Sequence, residues 1–279
     1  MNYLQSIVMG LVQGLTEFLP VSSSAHLSFA DYFLKIDMTE AATLSFGVIL
    51  HLATLIAVLI YFRHDVFELL KGLVRLIVSP KKSYKNDFYS RLAFYLIIAT
   101  IPAGVVGLAL SDLVEKIFSA PLIASVLLLV TAAILFYISY YKKIPDEEQG
   151  KLENMSLKGA LFIGLFQAIA ILPGISRSGS TIFAGLRFAG LSRESAPRFA
   201  FLLSIPIIFA GGLVDLLHVI QGSIQDVNIG IWGVGFIAAF ISGYFAIVWL
   251  MDTVKKGKLS YFGWYCLIVG AGLTTYFIL

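Results

Sequence analysis

The sequence predicts an all-α polytopic membrane protein built as an inverted-topology repeat, each half a re-entrant helical hairpin followed by three transmembrane helices. Three observations predict it. Only 13% of the 279 residues are charged and 58% are hydrophobic, whereas a soluble domain carries about a quarter charged residues; so little charge suits an outer surface facing lipid. Six apolar runs reach the ~20 residues that cross a bilayer. Two further apolar segments are too short to cross, are broken by proline, and resemble each other. The chain reads as a single membrane domain, 1–279, with a first repeat over 1–141 and a second over 157–279.

The first hairpin, 3–35, has an apolar arm that stops at Pro20 and a shorter apolar helix from about 25 to 34. Irregular backbone at membrane depth is tolerated only where protein buries it or a cavity borders it, so the apex at Pro20 is expected to sit inside the protein. Spans follow at 41–62, 92–111 and 119–141. Between the first two, Phe67, Leu70, Leu73, Val74 and Ile77 recur at helical spacing, which predicts an interfacial helix within loop 63–91. The second hairpin, 157–191, repeats the design: one arm stops at Pro173 and a second short piece runs from about 181 to 191. Spans at 199–220, 229–250 and 260–279 complete the chain, and Pro102 and Pro206 read as kinks.

The hairpins match in detail. Gly10-Leu-Val-Gln13 parallels Gly164-Leu-Phe-Gln167, and Leu19-Pro20 with its following serines parallels Leu172-Pro173 with Ser176 and Ser178. Three spans after each hairpin is an odd number, which turns the second copy upside down relative to the first. Charge agrees with that topology. Loop 63–91, segment 142–158, the group Arg187, Arg193 and Arg198, and the group Lys255, Lys256 and Lys258 all fall on one side, leaving only Lys35, Lys116 and Arg177 of the 20 basic residues elsewhere. The positive-inside rule makes that side cytoplasmic and both termini extracytoplasmic.

Other classes are disfavoured. The basic residues lie in short loops, so a net charge of +3 carries no expectation of nucleic-acid binding. A lone Cys266 excludes an intramolecular disulfide and a cysteine metal site. No cleavable signal peptide is expected, because the N-terminus lacks a basic start and Gln13 and Glu17 interrupt its apolar stretch.

Three polar constellations carry the chemistry. Gln13 and Glu17, four residues apart, share one helix face. A carboxylate inside a membrane hairpin is costly and marks function, the bland alternative being a Glu that reaches the headgroups. Next, Ser22, Ser23 and Ser24 precede His26 at the first apex. Serines there cap a helix, yet hydroxyls at a helix N-terminus also receive anions, and His26 with Glu17 nearby suggests acid–base work. The third stretch, Pro173 to Thr181, sets Arg177 among Ser176, Ser178, Ser180 and Thr181, with Gly174 and Gly179 letting backbone come close to a ligand. A guanidinium fork suits phosphate oxygens. The alternative is a structural ion pair of Arg177 with Glu17. His51, Asp215 and His218 are weaker candidates, His51 read as a support behind the site residues or a helix–helix hydrogen bond and the other two as interfacial.

Taken together, the segments from Gln13 to Ser23, His26, and Pro173 to Thr181 make the chain resemble the undecaprenyl-diphosphate phosphatase family, also called the bacitracin-resistance protein family, over essentially its whole length. The resemblance implies hydrolysis of a long polyprenyl diphosphate, undecaprenyl diphosphate, to the monophosphate and inorganic phosphate. That reaction recycles the lipid carrier of cell-wall glycans and confers bacitracin resistance. The resemblance makes Glu17, Ser23, His26 and Arg177 the catalytic set and favours Ser23 as the nucleophile, which the serines alone do not rank. Ser22, Ser24, Gly174, Ser176, Ser178 and Thr181 are the residues expected around the substrate phosphates. The resemblance also implies a divalent cation, Mg2+ or Ca2+, held by Glu17 and Gln13, although a Gln at 13 removes one carboxylate from that site. It places the protein in the plasma (inner) membrane among membrane lipids, with its active site on the extracytoplasmic side, and is compatible with a homodimer. The rival expectation is a secondary transporter or flippase for a lipid phosphate or another anion, because inverted repeats with broken helices also build transporters.

Overall fold

The computed structural model of the chain describes residues 1–36, 38, 40–110, 120–218 and 228–279, and the side chains of 40, 41, 44 and 213–218 lie outside that description. Lys116, the side chains of Asp215 and His218, and the expected span ends at 111, 119 and 219–220 therefore fall outside the described residues.

The described residues are helical almost throughout. A 16-residue helix, α1 (Tyr3–Phe18), starts in a capping box between Asn2 and Gln5 and stops at Leu19, ahead of Pro20. Its partner α2 (Ser23–Leu34) packs against it. A 13-residue helix, α8 (Leu157–Ile169), is capped by the Ser156 hydroxyl and stops ahead of Pro173; α9 (Arg177–Arg187) packs against it. At 1.5 Å per residue, α1 and α8 are roughly 24 and 20 Å long, short of the ~30 Å hydrocarbon layer. Both second arms begin earlier than the apolar pattern alone suggests, at Ser23 and Arg177 rather than near 25 and 181. The first turn of each is polar, and hydropathy does not register a polar turn.

The long helices are α3 (Glu40–Tyr61), α6 (Phe88–Ala109), α7 (Pro121–Tyr140), α10 (Ser195–His218), α11 (Ile229–Lys255) and α12 (Ser260–Ile278). Several run past the apolar segment: Asp87 caps α6 ahead of residue 92, and α11 continues to Lys255. Among the described residues five helices are long and apolar enough to cross a membrane, or six if Ser45–Tyr61 counts with the helix after it. The lipid-facing surface shows in rows such as Ile97, Ile101, Val105 and Leu108, all exposed along α6. The chain is a multi-pass membrane protein.

After α3 the chain bends by 89° into α4 (Arg63–Val78), and a short α5 (Pro80–Asn86) follows. Helix α4 exposes Phe67, Leu70, Val74 and Ile77 on one side. Its other side is tied down. Asp65 is buried and accepts from Arg198 of α10 and from the Tyr89 hydroxyl (3.2 Å), and the Ser90 hydroxyl donates to the Gly72 carbonyl (2.9 Å). An amphipathic helix perpendicular to a span lies along the membrane surface.

Packing between the two halves is crossed. Helix α1 packs chiefly on α11 of the second half, and α8 packs chiefly on α6 of the first. Likewise α3 packs on α11 while α6 packs on α10, and α7 lies on α12. Contact is close where the side chain is absent: a Cβ on Gly14 would collide with the Ala239 carbonyl and the Ser242 hydroxyl, and one on Gly164 with the Ala99 backbone.

Candidate active site

The two Pro-broken apices meet inside the bundle. Ser22 holds φ at 68°, an unusual conformation for a residue with a side chain that costs on the order of 1–3 kcal/mol. Bonds from the other hairpin fix it: the Ser22 hydroxyl accepts from the Gly174 amide (3.0 Å), and the Ser178 hydroxyl donates to the Leu19 carbonyl (3.2 Å). Gly174 has φ of 100°, which a side chain would disfavour. Thr131 of α7 clamps the same turn, donating to the Gly174 carbonyl (2.7 Å) and accepting from the Ser176 amide (3.0 Å). With its hydroxyl engaged across the interface, Ser22 at the N-cap of α2 makes no side-chain cap bond to that helix.

Glu17 is at the centre, with its side chain only 1% exposed. Arg177 pairs with Glu17 Oε1. On the other oxygen, Oε2, the Ser23 hydroxyl donates at 2.6 Å and Gln13 Nε2 at 3.1 Å. His51 of α3 brings Nε2 to 3.8 Å from the same oxygen. Glu17, Ser23, His51 and Arg177 edge a cavity of about 280 Å³ that Ser22, Ser24 and Ser176 also line, with Gln13 behind Glu17. Two helix N-termini, those of α2 and α9, start at its wall, and each favours an anion.

The structure thus brings Glu17, Ser23 and Arg177 together with Ser22, Ser24 and Ser176. Gly174, Ser178 and Thr181 stand behind that wall. Thr181 bonds back to the Arg177 carbonyl (2.8 Å), and Ser178 bonds to Ser176 (3.1 Å) as well as to Leu19. His26 is not among the cavity residues. Its Nδ1 donates to the Ser22 carbonyl (2.9 Å), its Nε2 meets the Tyr265 hydroxyl (2.8 Å), and its ring stacks on Tyr265 of α12. Ser23 and His26 are one turn apart on α2, but the bonds to the Ser22 carbonyl and to Tyr265 hold the His26 ring away from the cavity. Two residues enter that the sequence did not single out as site residues: Thr131, which had no local signal, and Gln167, which lines the cavity; His51, offered by the sequence only as a weaker candidate, lines it too.

The residues present suit a divalent cation. Carboxylate, hydroxyl and amide oxygens are its hard donors, and the buried Gln13 Oε1 has no hydrogen-bond partner. Among the described residues no three His, Cys, Asp or Glu side chains converge as a closed cage. A cation held by one carboxylate and by substrate phosphates needs no such cage.

Fold and site together define a polytopic helical membrane protein with a polar cavity between two broken helix pairs. The chain belongs to the family described as bacitracin resistance protein BacA, which matches residues 6–272. It is 44% identical over 275 residues to the undecaprenyl-diphosphatase of Methanobrevibacter smithii, covering 97% of this chain and 96% of that one. It is 41% identical to the undecaprenyl-diphosphatase of Bacteroides fragilis (97% and 96% covered) and 37% identical to undecaprenyl-diphosphatase 1 of Shouchella clausii (96% and 94% covered).

Proposed function

We propose that the chain hydrolyses undecaprenyl diphosphate to the monophosphate and inorganic phosphate, so returning the lipid carrier of cell-wall glycan synthesis and conferring bacitracin resistance. The single observation that carries this is the 2.6 Å hydrogen bond from the Ser23 hydroxyl to Glu17 Oε2 at the wall of an anion cavity. A nucleophile paired with a base serves hydrolysis; carrying an anion across a membrane needs only the Arg and the helix ends.

Ser23 Oγ attacks the terminal phosphorus while Glu17 Oε2 takes the hydroxyl proton. The P–O bond to the bridging oxygen breaks, and undecaprenyl monophosphate leaves with the electron pair. Water then attacks the phosphoserine, Glu17 returns its proton to Ser23 Oγ as the Oγ–P bond breaks, the proton lost by the water goes to solvent, and inorganic phosphate departs. Arg177 uses one N–H group on Glu17, and the rest of its fork faces phosphate oxygens, where positioning and charge stabilisation supply most of the rate. The N-termini of α2 and α9 add oriented dipoles. A divalent cation, held by Glu17 and Gln13, supplies further neutralisation of the diphosphate charge when bound. His26 holds the apex carbonyl of Ser22 in place rather than exchanging protons with substrate. The cavity admits the head group, and the polyprenyl tail stays in lipid.

Purified chain in detergent, given a polyprenyl diphosphate, is expected to release inorganic phosphate only with a divalent cation present. Movement of intact diphosphate across proteoliposomes without phosphate release would replace this reading with the transporter.

The same reading makes the halves an inverted repeat, supported by the crossed packing of α1 on α11 and α8 on α6. It places the protein in the plasma membrane with loops 63–91, 142–158 and 251–259 in the cytoplasm and the cavity opening outward. Cys266 is buried, so a cysteine introduced at Lys82 can be read against a quiet background. It should resist a membrane-impermeant thiol reagent in intact cells and react in inside-out vesicles. Labelling in intact cells would invert the orientation.

A further inference from the structure

We propose that His51 is a ligand to the divalent cation, giving with Glu17 a nitrogen–oxygen donor pair that the substrate phosphates and water complete, and that this pair favours Mn2+ over Ca2+. The assignment deepens the hydrolase reading of the same centre and depends on it.

A histidine inside a membrane span is expensive and marks function. His51 Nδ1 lies 2.8 Å from the Gly47 carbonyl one turn earlier on α3. A carbonyl only accepts, so Nδ1 carries the hydrogen, and Nε2 is the nitrogen left to bind an ion. Metal-binding imidazoles are oriented in this way, one nitrogen anchored to a carbonyl and the other free for the ion. His51 lines the cavity, and its Nε2 lies 3.8 Å from Glu17 Oε2. That gap is too long for a hydrogen bond. It falls within the span of two donors on one ion, which at bond lengths of ~2.0–2.2 Å cannot exceed about 4.4 Å. Arg177 takes Oε1, on the other side of the carboxylate.

Donor chemistry gives the preference. Gln13 stands where a second carboxylate would make the site more negative. With one carboxylate and one imidazole, the pair suits Mn2+, Co2+ or Zn2+ better than Ca2+, which takes oxygen donors in high number.

The test uses the full chain in detergent with Mn2+ alone, read by electron paramagnetic resonance. Bound Mn2+ should show nitrogen-14 spin-echo modulation from a directly coordinated imidazole. His51→Gln should abolish the modulation and weaken Mn2+ binding on the order of ten- to a hundred-fold, and His51→Ala should do the same. His26→Gln should keep both signals. A wild-type protein that binds Mn2+ without nitrogen modulation overturns the assignment with no variant needed. So does modulation that survives in His51→Gln at unchanged affinity. Cation-dependent phosphate release persisting in either case would leave the hydrolase reading standing and remove His51 from it.

Discussion

Ser23→Ala is expected to lose on the order of 10⁴-fold or more in turnover, the scale seen when an activated nucleophile is removed from its base, while still binding the diphosphate. The hydroxyl is the one group that both touches Glu17 Oε2, at 2.6 Å, and faces the cavity at the first apex. Ser22 and Ser24 cannot stand in for it: they bond to each other (3.2 Å), and Ser22 holds the Gly174 amide. Single-turnover phosphate release separates the outcomes. A loss of only about a hundred- to a thousand-fold would match a lost charge-stabilising donor and reassign Ser23 to phosphate positioning. Full activity would make water, with Glu17 as its base, the attacking group. Rapid quench should trap a phosphoserine at 23 in the wild type. His26→Ala provides the contrast, with a far smaller loss, because His26 braces the apex through the Ser22 carbonyl and Tyr265.

Arg177→Lys should cost on the order of 10³-fold in kcat, the lower end of what an arginine contributes to phosphoryl transfer. The substitution keeps the charge and so keeps a partner for Glu17; deleting the charge would leave a buried carboxylate unpaired, at about 3–5 kcal/mol. What lysine loses is the planar fork that holds Glu17 and phosphate oxygens at once. Turnover close to wild type in a well-folded Arg177→Lys protein would reduce Arg177 to a bulk charge. Circular dichroism and a monodisperse elution profile confirm folding in the same preparation.

The spans were legible because the bilayer imposes one length on all of them, and the broken helix pairs because Pro20 and Pro173 end arms already too short to cross. The meeting of Glu17, Ser23 and Arg177 was legible for a related reason: polar residues at membrane depth have nowhere else to go. The rest depends on the packing of distant helices. Nothing near residue 131 in sequence shows that Thr131 clamps Gly174. His26 shares a face of α2 with Ser23, and what draws its ring aside is Tyr265 of α12, which nothing near residue 26 in sequence shows. The reach of His51 toward Glu17 exists only because α3 packs against α1 and α11. Polar first turns hid the starts of α2 and α9 from hydropathy.

The crossed packing has a consequence for biosynthesis. Gly14 in α1 rests on Ala239 and Ser242 of α11, a helix that leaves the ribosome more than two hundred residues later. At ~5–20 residues per second, α1 waits roughly 10–50 s for its main partner. During most of that time Glu17 also lacks Arg177, so a carboxylate stands in a helix too short to span with no cation beside it. The first half therefore carries Glu17, Ser23 and His51 ahead of their cation, and the centre is completed only when Arg177 arrives with the second half.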